Sequence, residues 1–353
     1  MNHLVPELTE GSVSTPVIRN HTVSTNFSNK LSLIVPMFNE EEVIPVFFSE
    51  IIGVLDLIDM EWEIICVNDG SRDRTLDLLL QWHQRDPRIK VINFSRNFGK
   101  ERALTAAIDY ATGDAVIPID ADLQDPPEVI PLLVQRWREG YDVVNAVRVK
   151  RDHDTFAKRT TARMFYRVIN AISDVEIPSD AGDFRLLSKR ACDALRLLRE
   201  RNRFMKGLFS WVGYPTTTVQ YLRKPRVAGT TKFNYWKLWN FAIEGITSFS
   251  TAPLKLATYM GLTSAIGGLF YALYIVFDTL VYGNPVSGYP SIMTAILFFG
   301  GIQLICIGII GEYVGRIHDE VKDRPIYIVE SALGFEQSVG GQIRIRPTHG
   351  ETK

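Results

Sequence analysis

Cysteine is scarce in this sequence, which has Cys66, Cys192 and Cys306 far apart from one another. No two of them form a CxxC pair, so their spacing supports neither a redox motif nor a zinc site. Cys66 and Cys306 lie in apolar runs, where a thiol packs as a small hydrophobic group. The sequence therefore predicts structural cysteines and a reducing compartment.

Net charge is almost absent too, because 39 Lys and Arg balance 40 Asp and Glu, for a formal charge of -1. A nucleic-acid-binding chain usually has a basic excess, so we expect no nucleic acid partner. Residues 1–30 are rich in Ser, Thr and Asn and lack an apolar core of signal-peptide length. We expect them to form a disordered cytosolic tail.

Two nucleotide-binding motifs are missing. GxGxxG does not follow the first predicted strand, and GxxxxGK[ST] occurs nowhere in the sequence. The glycines of these motifs let a backbone approach phosphate groups closely. Their absence argues against a dinucleotide-binding domain and against a P-loop.

From Leu31 to about Val147, short β-rich runs alternate with helical stretches. This order predicts an α/β fold with a Rossmann-like, mostly parallel sheet and helices on both faces. Functional residues of such sheets collect on loops at the carboxyl ends of the strands. The stretches at those places are PMFNE, NDGSRD, SRNFGKE and DADLQDPP.

Two later stretches, Leu256 to Phe277 and Ser291 to Gly311, contain no charged residue. Each is long enough to cross a hydrocarbon core about 30 Å thick. The connecting segment TLVYGNPVSGYP (279–290) is uncharged, whereas basic residues precede the first stretch and follow the second. The positive-inside tendency then predicts a cytoplasmic catalytic domain with both termini cytoplasmic. The alternative is a buried helical hairpin in a soluble protein.

The segment before these stretches has Trp236, Trp239, Ile243 and Ile246 at helical spacing, beside two lysines. It is either an amphipathic helix in the plane of the membrane interface or a core helix of the soluble domain. The predicted organisation is therefore a tail (1–30), a catalytic domain (31–229), juxtamembrane amphipathic helices (230–252), a two-helix transmembrane hairpin (253–315) and a cytoplasmic C-terminal tail (316–353).

Asp120 and Asp122 close the predicted strand AVIPID. Residues two apart in a strand share a face, so both carboxylates and the Gln124 side chain can converge on one cation. Mg²⁺ and Mn²⁺ bind carboxylates together with phosphate oxygens, which suits a nucleotide diphosphate. The alternative is a solvated turn.

Two other strand ends carry polar groups. Asn68 to Ser71 can form an Asx turn or present Asp69 to a base or ribose, and Gly70 permits a tight turn. Pro36 to Glu40 ends the first strand, where acidic residues either cap the next helix or bind a ligand. The stretch from Arg148 to Arg167 holds seven basic residues and either forms a solvated face or binds phosphate.

The stretches LSLIVPMFNE, VNDGSRD, DADLQDPP, AGDFRLLSK and RVAGTTKFNYWKLW resemble those of the family 2 glycosyltransferases of GT-A fold that act on polyprenyl phosphates. Dolichol-phosphate mannose synthases belong to that group. The bacterial and phage bactoprenol glucosyltransferases are more similar, since their two-span tail resembles residues 253–330. The resemblance covers nearly everything after residue 30.

The resemblance implies roles for particular residues. The nucleotide sugar would be held by Pro36, Asn39, Glu40, Asp69, Lys100, Asp120, Gln124 and Arg148. The metal would be held by Asp120, Asp122 and Gln124, and the acceptor phosphate by Arg159, Arg163, Arg226 and Lys232. Asp122, Asp183 and Arg185 would be catalytic, with Asp183 as an orienting group or a base.

The implied reaction is an inverting transfer of a sugar, glucose from UDP-glucose, to undecaprenyl (bactoprenyl) phosphate with Mg²⁺ or Mn²⁺ as cofactor. GDP-mannose, UDP-galactose and a UDP-aminosugar stay open as donors. The implied setting is the bacterial inner membrane, where the lipid-linked sugar serves O-antigen modification of lipopolysaccharide. A homo-oligomer, a downstream flippase and a second glycosyltransferase are the implied partners.

Three other functions are weaker interpretations. A sugar-phosphate nucleotidylyltransferase usually has a Gly-rich loop after its first strand and no membrane spans. A processive polysaccharide synthase has a QxxRW motif, and the spacing of Gln135 to Trp137 does not match it. A catalytically idle membrane scaffold would have a broken metal site, whereas Asp120 and Asp122 are both present.

Overall fold

The computed structural model describes residues 29–148, 181–201, 203–222, 252–283 and 288–335. The described residues form an α/β domain, two long helices and a last strand. The domain consists of β1 (Lys30–Met37), α1 (Ile44–Leu55), β2 (Glu61–Asn68), α2 (Thr75–Arg85), β3 (Ile89–Phe94), α3 (Lys100–Tyr110), β4 (Ala115–Pro118), α4 (Ile130–Arg138), β5 (Val143–Arg148), β6 (Ala181–Ser188), α5 (Lys189–Leu197), α6 (Met205–Trp211) and β7 (Thr216–Tyr221). The elements after it are α7 (Ala252–Tyr282), α8 (Tyr289–Val321) and β8 (Val329–Leu333).

The strands of the described residues form one sheet in the order β7-β5-β6-β4-β1-β2-β3-β8. The central strands β4, β1, β2 and β3 are parallel to their neighbours in that group. Strand β6 is antiparallel to both β4 and β5, and β8 is antiparallel to β3. The prediction of an α/β fold with a mostly parallel, Rossmann-like sheet is confirmed, with the antiparallel pairs on either side of the parallel centre.

Side chains of the central strands alternate between two apolar cores. In β1, Leu33 and Val35 face the core under α1, α2 and α4, whereas Ile34 faces the core under α3, α5 and α6. Strand β2 repeats the pattern with Ile64 and Ile65. A strand buried on both faces needs apolar residues at every position, which explains the continuous apolar runs of the sequence.

The amino end of the sheet is held by a buried carboxylate. Glu63 is 1% exposed, and its Oε2 lies 2.8 Å from Nζ of Lys30 and 2.9 Å from Nζ of Lys90. Its Oε1 accepts a hydrogen bond from the Ser32 hydroxyl. Burial alone would raise the pKa of Glu63, but the two lysines and Ser32 lower it to about 2. Three neighbouring strands are therefore joined by an ion cluster at the edge opposite the candidate site.

Helices α7 and α8 extend from the domain with their apolar side chains exposed. Both are long and apolar enough to cross a membrane, and no part of their apolar windows is buried in the protein. That exposure excludes a buried hairpin for this part of the chain, because such a helix would be covered by protein. The two helices account for the predicted spans and indicate association with a membrane.

The C-terminal region differs from the predicted organisation. Helix α8 continues to Val321 rather than ending at residue 315, and the Glu312–Arg316 ion pair supports its last turns. The segment 316–353 was predicted to be a tail outside the catalytic domain. Instead, β8 lies in the catalytic sheet, because Val329 and Leu333 pack against its two cores.

Candidate active site

The loops after β1 and β2 are joined by hydrogen bonds. The Asn39 amide N–H donates to the Ser71 hydroxyl at 2.9 Å, and the Arg72 N–H donates to Oδ1 of Asn39 at 2.9 Å. Asn39 has a φ of 54°, which its short polar side chain tolerates. The Glu40 N–H donates to Oγ1 of Thr75 at 2.8 Å. Asn39 therefore shapes the loop pair with its main-chain N–H and its side-chain oxygen, and Glu40 does so with its main-chain N–H. Pro36 lies behind them in β1.

Asp69 connects the loop after β2 to the start of α3. Its two carboxylate oxygens accept the N–H groups of Phe98 at 2.6 Å and Gly99 at 2.9 Å. Burial raises the pKa of Asp69, and these two hydrogen bonds partly oppose the shift. The carboxylate is thus a structural centre of the loops, in the region where the sequence placed the nucleotide.

A cleft of about 510 Å³ opens between these loops, at the carboxyl ends of β1, β2 and β3. Asn68, Asn93 and Glu330 form a hydrogen-bonded chain in its wall. Nδ2 of Asn68 donates to Oδ1 of Asn93 at 2.7 Å, and Nδ2 of Asn93 donates to Oε2 of Glu330 at 3.1 Å. The predicted loop residues Asn39 and Gly70 line the same cleft. Its position is the one at which ligands bind in open α/β sheets.

The DAD motif lies beyond its strand rather than at the strand's end. Strand β4 ends at Pro118, and Leu123 has a φ of 52° in the turn that follows. Asp120, Asp122 and Gln124 are nevertheless partly exposed, while the residues between them are buried. Asp120, Asp122 and Gln124 therefore lie on the same side of the chain, as predicted, but a turn rather than a strand places them there.

The donor set of this turn fits a hard divalent cation. Two carboxylates and one carboxamide supply oxygen ligands, which Mg²⁺ and Mn²⁺ prefer. The Gln124 N–H donates to Oδ1 of Asp122 at 3.2 Å, so the turn itself orients one carboxylate. The described residues contain no group of three or more His, Cys, Asp or Glu side chains that could hold a metal. An ion held by Asp120 and Asp122 would therefore need further oxygens from a ligand.

Lys100 connects the DAD turn with β6. Its Nζ lies 2.7 Å from Oδ1 of Asp120 and 2.7 Å from Oδ2 of Asp183. Burial alone would lower the pKa of the Lys100 ammonium, but the two carboxylates raise it above its ordinary value. The structure thus brings together three residues that the sequence resemblance placed in the site.

Asp183 is a charged carboxylate although most of its side chain is covered by protein. Burial favours its neutral form, yet Lys100 and Lys206 hold its pKa below the ordinary range. Its Oδ1 is buried and has no hydrogen-bond partner within the described ranges. A carboxylate with a lowered pKa is a weak base, so its environment suits orientation of a substrate better than proton abstraction.

Arg185 lies on the same strand and is 2% exposed. One of its terminal nitrogens donates to the Gly182 carbonyl at 2.7 Å, and its guanidinium lies 4.2 Å from the centre of the Phe209 ring. Burial lowers its pKa to about 10, and Asp183 opposes that shift. The contacts of Arg185 therefore stabilise β6 against α6 beneath the protein surface.

Arg148 ends β5 beside the DAD turn. Its Nε donates to the Tyr221 hydroxyl at 3.1 Å, and its terminal nitrogen lies 3.5 Å from Oδ1 of Asp125. Those contacts direct the guanidinium toward the turn that carries Asp120. The predicted acceptor-phosphate residues Arg159, Arg163, Arg226 and Lys232 lie outside the described residues, as does most of the predicted juxtamembrane segment.

Sequence reasoning missed three residues of this region. Glu101 and Lys206 act on Asp183 through their charge, and Glu330 comes from a segment predicted to be a tail. Glu101 directly follows Lys100, so its position next to a predicted site residue could have identified it. No sequence pattern connects Lys206 or Glu330 to the site, because packing alone brings α6 and β8 to it.

Comparison with known proteins gives two family matches. Residues 32–196 match the family model "Glycosyl transferase family 2", and residues 252–317 match the model "GtrB C-terminal hairpin". The first covers the catalytic domain through α5. The second covers α7 and most of α8.

Solved structures that match this chain have low sequence identity to it. One is a glucosyl-3-phosphoglycerate synthase from Mycobacterium tuberculosis in complex with Mn²⁺, UDP-glucose and phosphoglyceric acid, with 19% identity, a TM-score of 0.42, and coverage of 62% of this chain and 77% of that chain. Another is the mannosyltransferase PcManGT from Pyrobaculum calidifontis in complex with GDP-Man and Mn²⁺, with 16% identity, a TM-score of 0.42, and coverage of 82% and 87%.

The curated relatives are much closer in sequence. The SfII prophage-derived bactoprenol glucosyl transferase of Shigella flexneri is 53% identical over 303 residues, which are 86% of this chain and 98% of the relative. A prophage bactoprenol glucosyl transferase homolog of Escherichia coli K12 is 51% identical over 85% of this chain and 98% of the relative. An uncharacterized glycosyltransferase of Synechocystis is 53% identical over 87% and 96%. Because such identity extends over nearly the whole length of these relatives, the chain belongs to the family 2 glycosyltransferases of the bactoprenol glucosyl transferase type.

Proposed function

We propose that this protein transfers glucose from UDP-glucose to undecaprenyl (bactoprenyl) phosphate, with inversion at the anomeric carbon, at a membrane surface. The observation that carries the proposal is the Asp120–Lys100–Asp183 bridge beside the nucleotide-sized cleft. It places Asp120, one of the two candidate metal carboxylates, next to the largely buried carboxylate of Asp183 on β6. The names of the bactoprenol relatives supply the sugar and the lipid.

The donor would lie across the carboxyl ends of the central strands. Its nucleoside would occupy the cleft beside Asn39 and Asp69, and its diphosphate would reach the DAD turn. Asp120, Asp122 and Gln124 would hold Mg²⁺ or Mn²⁺ there, and Arg148 would add positive charge. When bound, the ion neutralises charge on the departing diphosphate.

The acceptor needs little help from a base. A phosphate monoester is largely dianionic at pH 7, because its second pKa is about 6. Its oxygen can therefore attack the anomeric carbon directly, and the bond from that carbon to the diphosphate breaks in the same displacement. Asp183, whose pKa is lowered by Lys100 and Lys206, would orient the sugar rather than take a proton.

The two membrane helices would determine where the sugar transfer takes place. A polyprenyl phosphate stays in the bilayer, so α7 and α8 would keep the active site at the membrane surface. Basic residues flanking the helices favour a catalytic domain on the cytoplasmic side of the bacterial inner membrane. Arg159, Arg163, Arg226 and Lys232 are proposed to bind the lipid phosphate. A flippase and a second glycosyltransferase would then use the product, and the enzyme would act as a homo-oligomer.

The test uses the full-length protein in lipid nanodiscs with undecaprenyl phosphate, Mg²⁺ or Mn²⁺, and labelled UDP-glucose. The expected result is release of UDP together with a glucosylated lipid. Parallel reactions with GDP-mannose, UDP-galactose and a UDP-aminosugar identify the preferred donor. If no nucleotide sugar gives a lipid product above background, the proposed function is wrong.

A further inference from the structure

The segment that follows the membrane helices returns to the catalytic domain as β8. It pairs with β3, and the Ser95 N–H donates to the Ile328 carbonyl at 3.2 Å. Tyr327 stacks on Phe94 with ring centres 5.3 Å apart, and its hydroxyl donates to Asp109 at 2.8 Å. These contacts fix the position of β8 beside the cleft.

Glu330 is the irregular residue of this strand pair. Asn93 is opposite Ser331, whereas Phe94 is opposite Val329, so Glu330 is the extra residue of a β-bulge. A bulge redirects a side chain out of the regular alternation, often beside a functional site. Here the Glu330 side chain is exposed, lines the cleft and accepts a hydrogen bond from Asn93 at 3.1 Å.

The position of Glu330 relative to the DAD turn indicates which end of a ligand it meets. A carboxylate beside a diphosphate would be repelled by it. Strand β3, whose Asn93 holds Glu330, lies three places from β4 in the sheet, which is roughly 14 Å at the usual strand spacing. An extended nucleoside diphosphate with its phosphates at the DAD turn reaches that far only with its base.

At this end of the cleft, hydrogen bonds fix the orientation of the Asn93 amide beside the Glu330 carboxylate. Asn68 holds the Asn93 amide with its oxygen toward Asn68 and its nitrogen toward Glu330. An amide nitrogen has a second N–H, and a carboxylate that accepts one hydrogen bond keeps further acceptor sites. The wall of the cleft thus offers a donor next to an acceptor. A ring N–H beside a carbonyl, as in uracil and guanine, matches that pair, whereas cytosine presents an unprotonated ring nitrogen.

We propose that Glu330 is a specificity-determining residue of the nucleotide site, which accepts the ring N–H of the base while Asn93 donates to the adjacent carbonyl. This inference rests on the proposed function, since it assumes a nucleotide sugar in the cleft. It makes the segment after the membrane helices part of the donor site. The base class is one with a ring N–H beside a carbonyl, and the proposed donor makes it uracil.

The experiment measures binding of UDP, CDP and GDP to the full-length protein by calorimetry with Mg²⁺ present. For Glu330→Gln, UDP affinity should fall about tenfold, because a hydrogen bond to a charged acceptor is replaced by a neutral one. CDP affinity should stay the same or rise, since the Gln amide can donate to the cytosine ring nitrogen. The ratio of UDP to CDP affinity should therefore shrink.

Tyr327→Phe is the matched control, because it removes the hydrogen bond to Asp109 in the same segment without touching the cleft. It should leave the UDP to CDP ratio unchanged. Unchanged affinities in Glu330→Gln, or equal losses for UDP and CDP in both variants, would overturn the inference and leave the proposed function standing. If wild type prefers GDP and Glu330→Gln weakens it, Glu330 reads guanine and the UDP-glucose proposal fails. Failure of wild type to bind any of the three would refute both.

Discussion

Lys100 Nζ lies 2.7 Å from Oδ2 of Asp183, although the two residues come from the start of α3 and from β6. The same ammonium lies 2.7 Å from Oδ1 of Asp120. One cation therefore separates the carboxylate proposed for the metal from the carboxylate proposed for the sugar. Without it, two anionic side chains would face each other across a partly buried gap, at a substantial electrostatic cost.

The first prediction concerns that cation. Lys100→Met should lower kcat about tenfold to a hundredfold, because it removes a charged hydrogen-bond partner from two carboxylates. It should also raise the pKa of Asp183, so that activity falls as the pH is lowered from about 8 to 6, unlike that of wild type. The measurement is the pH profile of kcat. Lys100→Arg keeps the charge and should keep the wild-type profile; a flat profile in Lys100→Met would contradict this role.

The second prediction concerns the metal. Asp122→Asn should raise the activation free energy of the transfer by several kcal/mol, and so lower turnover, without unfolding the protein. The reason is that Asp122 is proposed to hold the ion that neutralises leaving-group charge. Chelation with EDTA should silence wild type equally. The checks are steady-state kinetics at saturating Mg²⁺ or Mn²⁺ and thermal melting of the variant. Near-wild-type activity in Asp122→Asn would mean that this carboxylate is structural.

The third prediction concerns Gly70, which has a φ of 64°. A Cβ at this position would lie 2.4 Å from the backbone carbon of Arg96 and 2.5 Å from the nitrogen of Asn97. Gly70→Ala should therefore push apart the loops after β2 and β3 and lower UDP affinity at least about tenfold, since a displaced loop loses its ligand contacts.

Gly53→Ala is the control for that variant. A Cβ at Gly53, within α1, meets nothing within 4 Å. The change should stabilise the protein by roughly 0.5–1 kcal/mol, because alanine is the better helix former. UDP affinity should be unaffected. Calorimetry and thermal melting of both variants make the comparison, and wild-type UDP affinity in Gly70→Ala would show that the loops are not closely packed.

Most of the domain was predictable because its strands are buried on both faces and its loops carry polar groups at their carboxyl ends. Asn39, Asp69 and Asp120 could be placed in one region from that rule alone. Sequence periodicity did not show that the chain turns after Pro118, since Ile119 continues the apolar pattern. It also did not show that β8 joins the sheet. A five-residue strand has a weak signal, and its position depends on contacts with Phe94 and Asp109 that lie far away in the sequence.

The fourth prediction separates acceptor from donor. Arg159, which lies outside the described residues, is proposed to contact the lipid phosphate. Arg159→Ala should raise the apparent KM for undecaprenyl phosphate about tenfold to a hundredfold, because a charge-assisted contact to phosphate is lost. UDP affinity should change little. If Arg159→Ala weakens lipid-dependent kinetics and UDP affinity equally, Arg159 lies at the donor diphosphate instead. If the variant changes neither, Arg159 is a solvated side chain with no role in binding.

The last prediction concerns the pH dependence of stability at Glu101. Its Oε2 accepts the Met205 N–H at 3.0 Å, which connects α3 to α6. Burial, followed by repulsion from Asp183, raises the pKa of Glu101 to about 7, against an ordinary value of 4.5, while Lys100 and Lys206 oppose the shift. A carboxyl group with a raised pKa in the folded state binds more protons than in the unfolded state between these two values. Its contribution to stability is complete below pH 4.5 and is lost as the pH rises through about 7.

Glu101→Gln should remove that pH dependence, because a neutral amide can still accept the Met205 N–H and does not ionise. The variant should therefore melt at a higher temperature than wild type at pH 8, and the difference should shrink toward pH 5. Each kcal/mol corresponds to about 2–4 °C for a domain of this size, so a difference of several degrees is expected. Thermal melting of both proteins between pH 5 and 8 makes the measurement. Asp193→Asn is a suitable control, since it neutralises an exposed carboxylate paired with Arg196 and should leave the wild-type pH dependence intact. A wild-type slope in Glu101→Gln would mean that Glu101 stays ionised when the protein is folded.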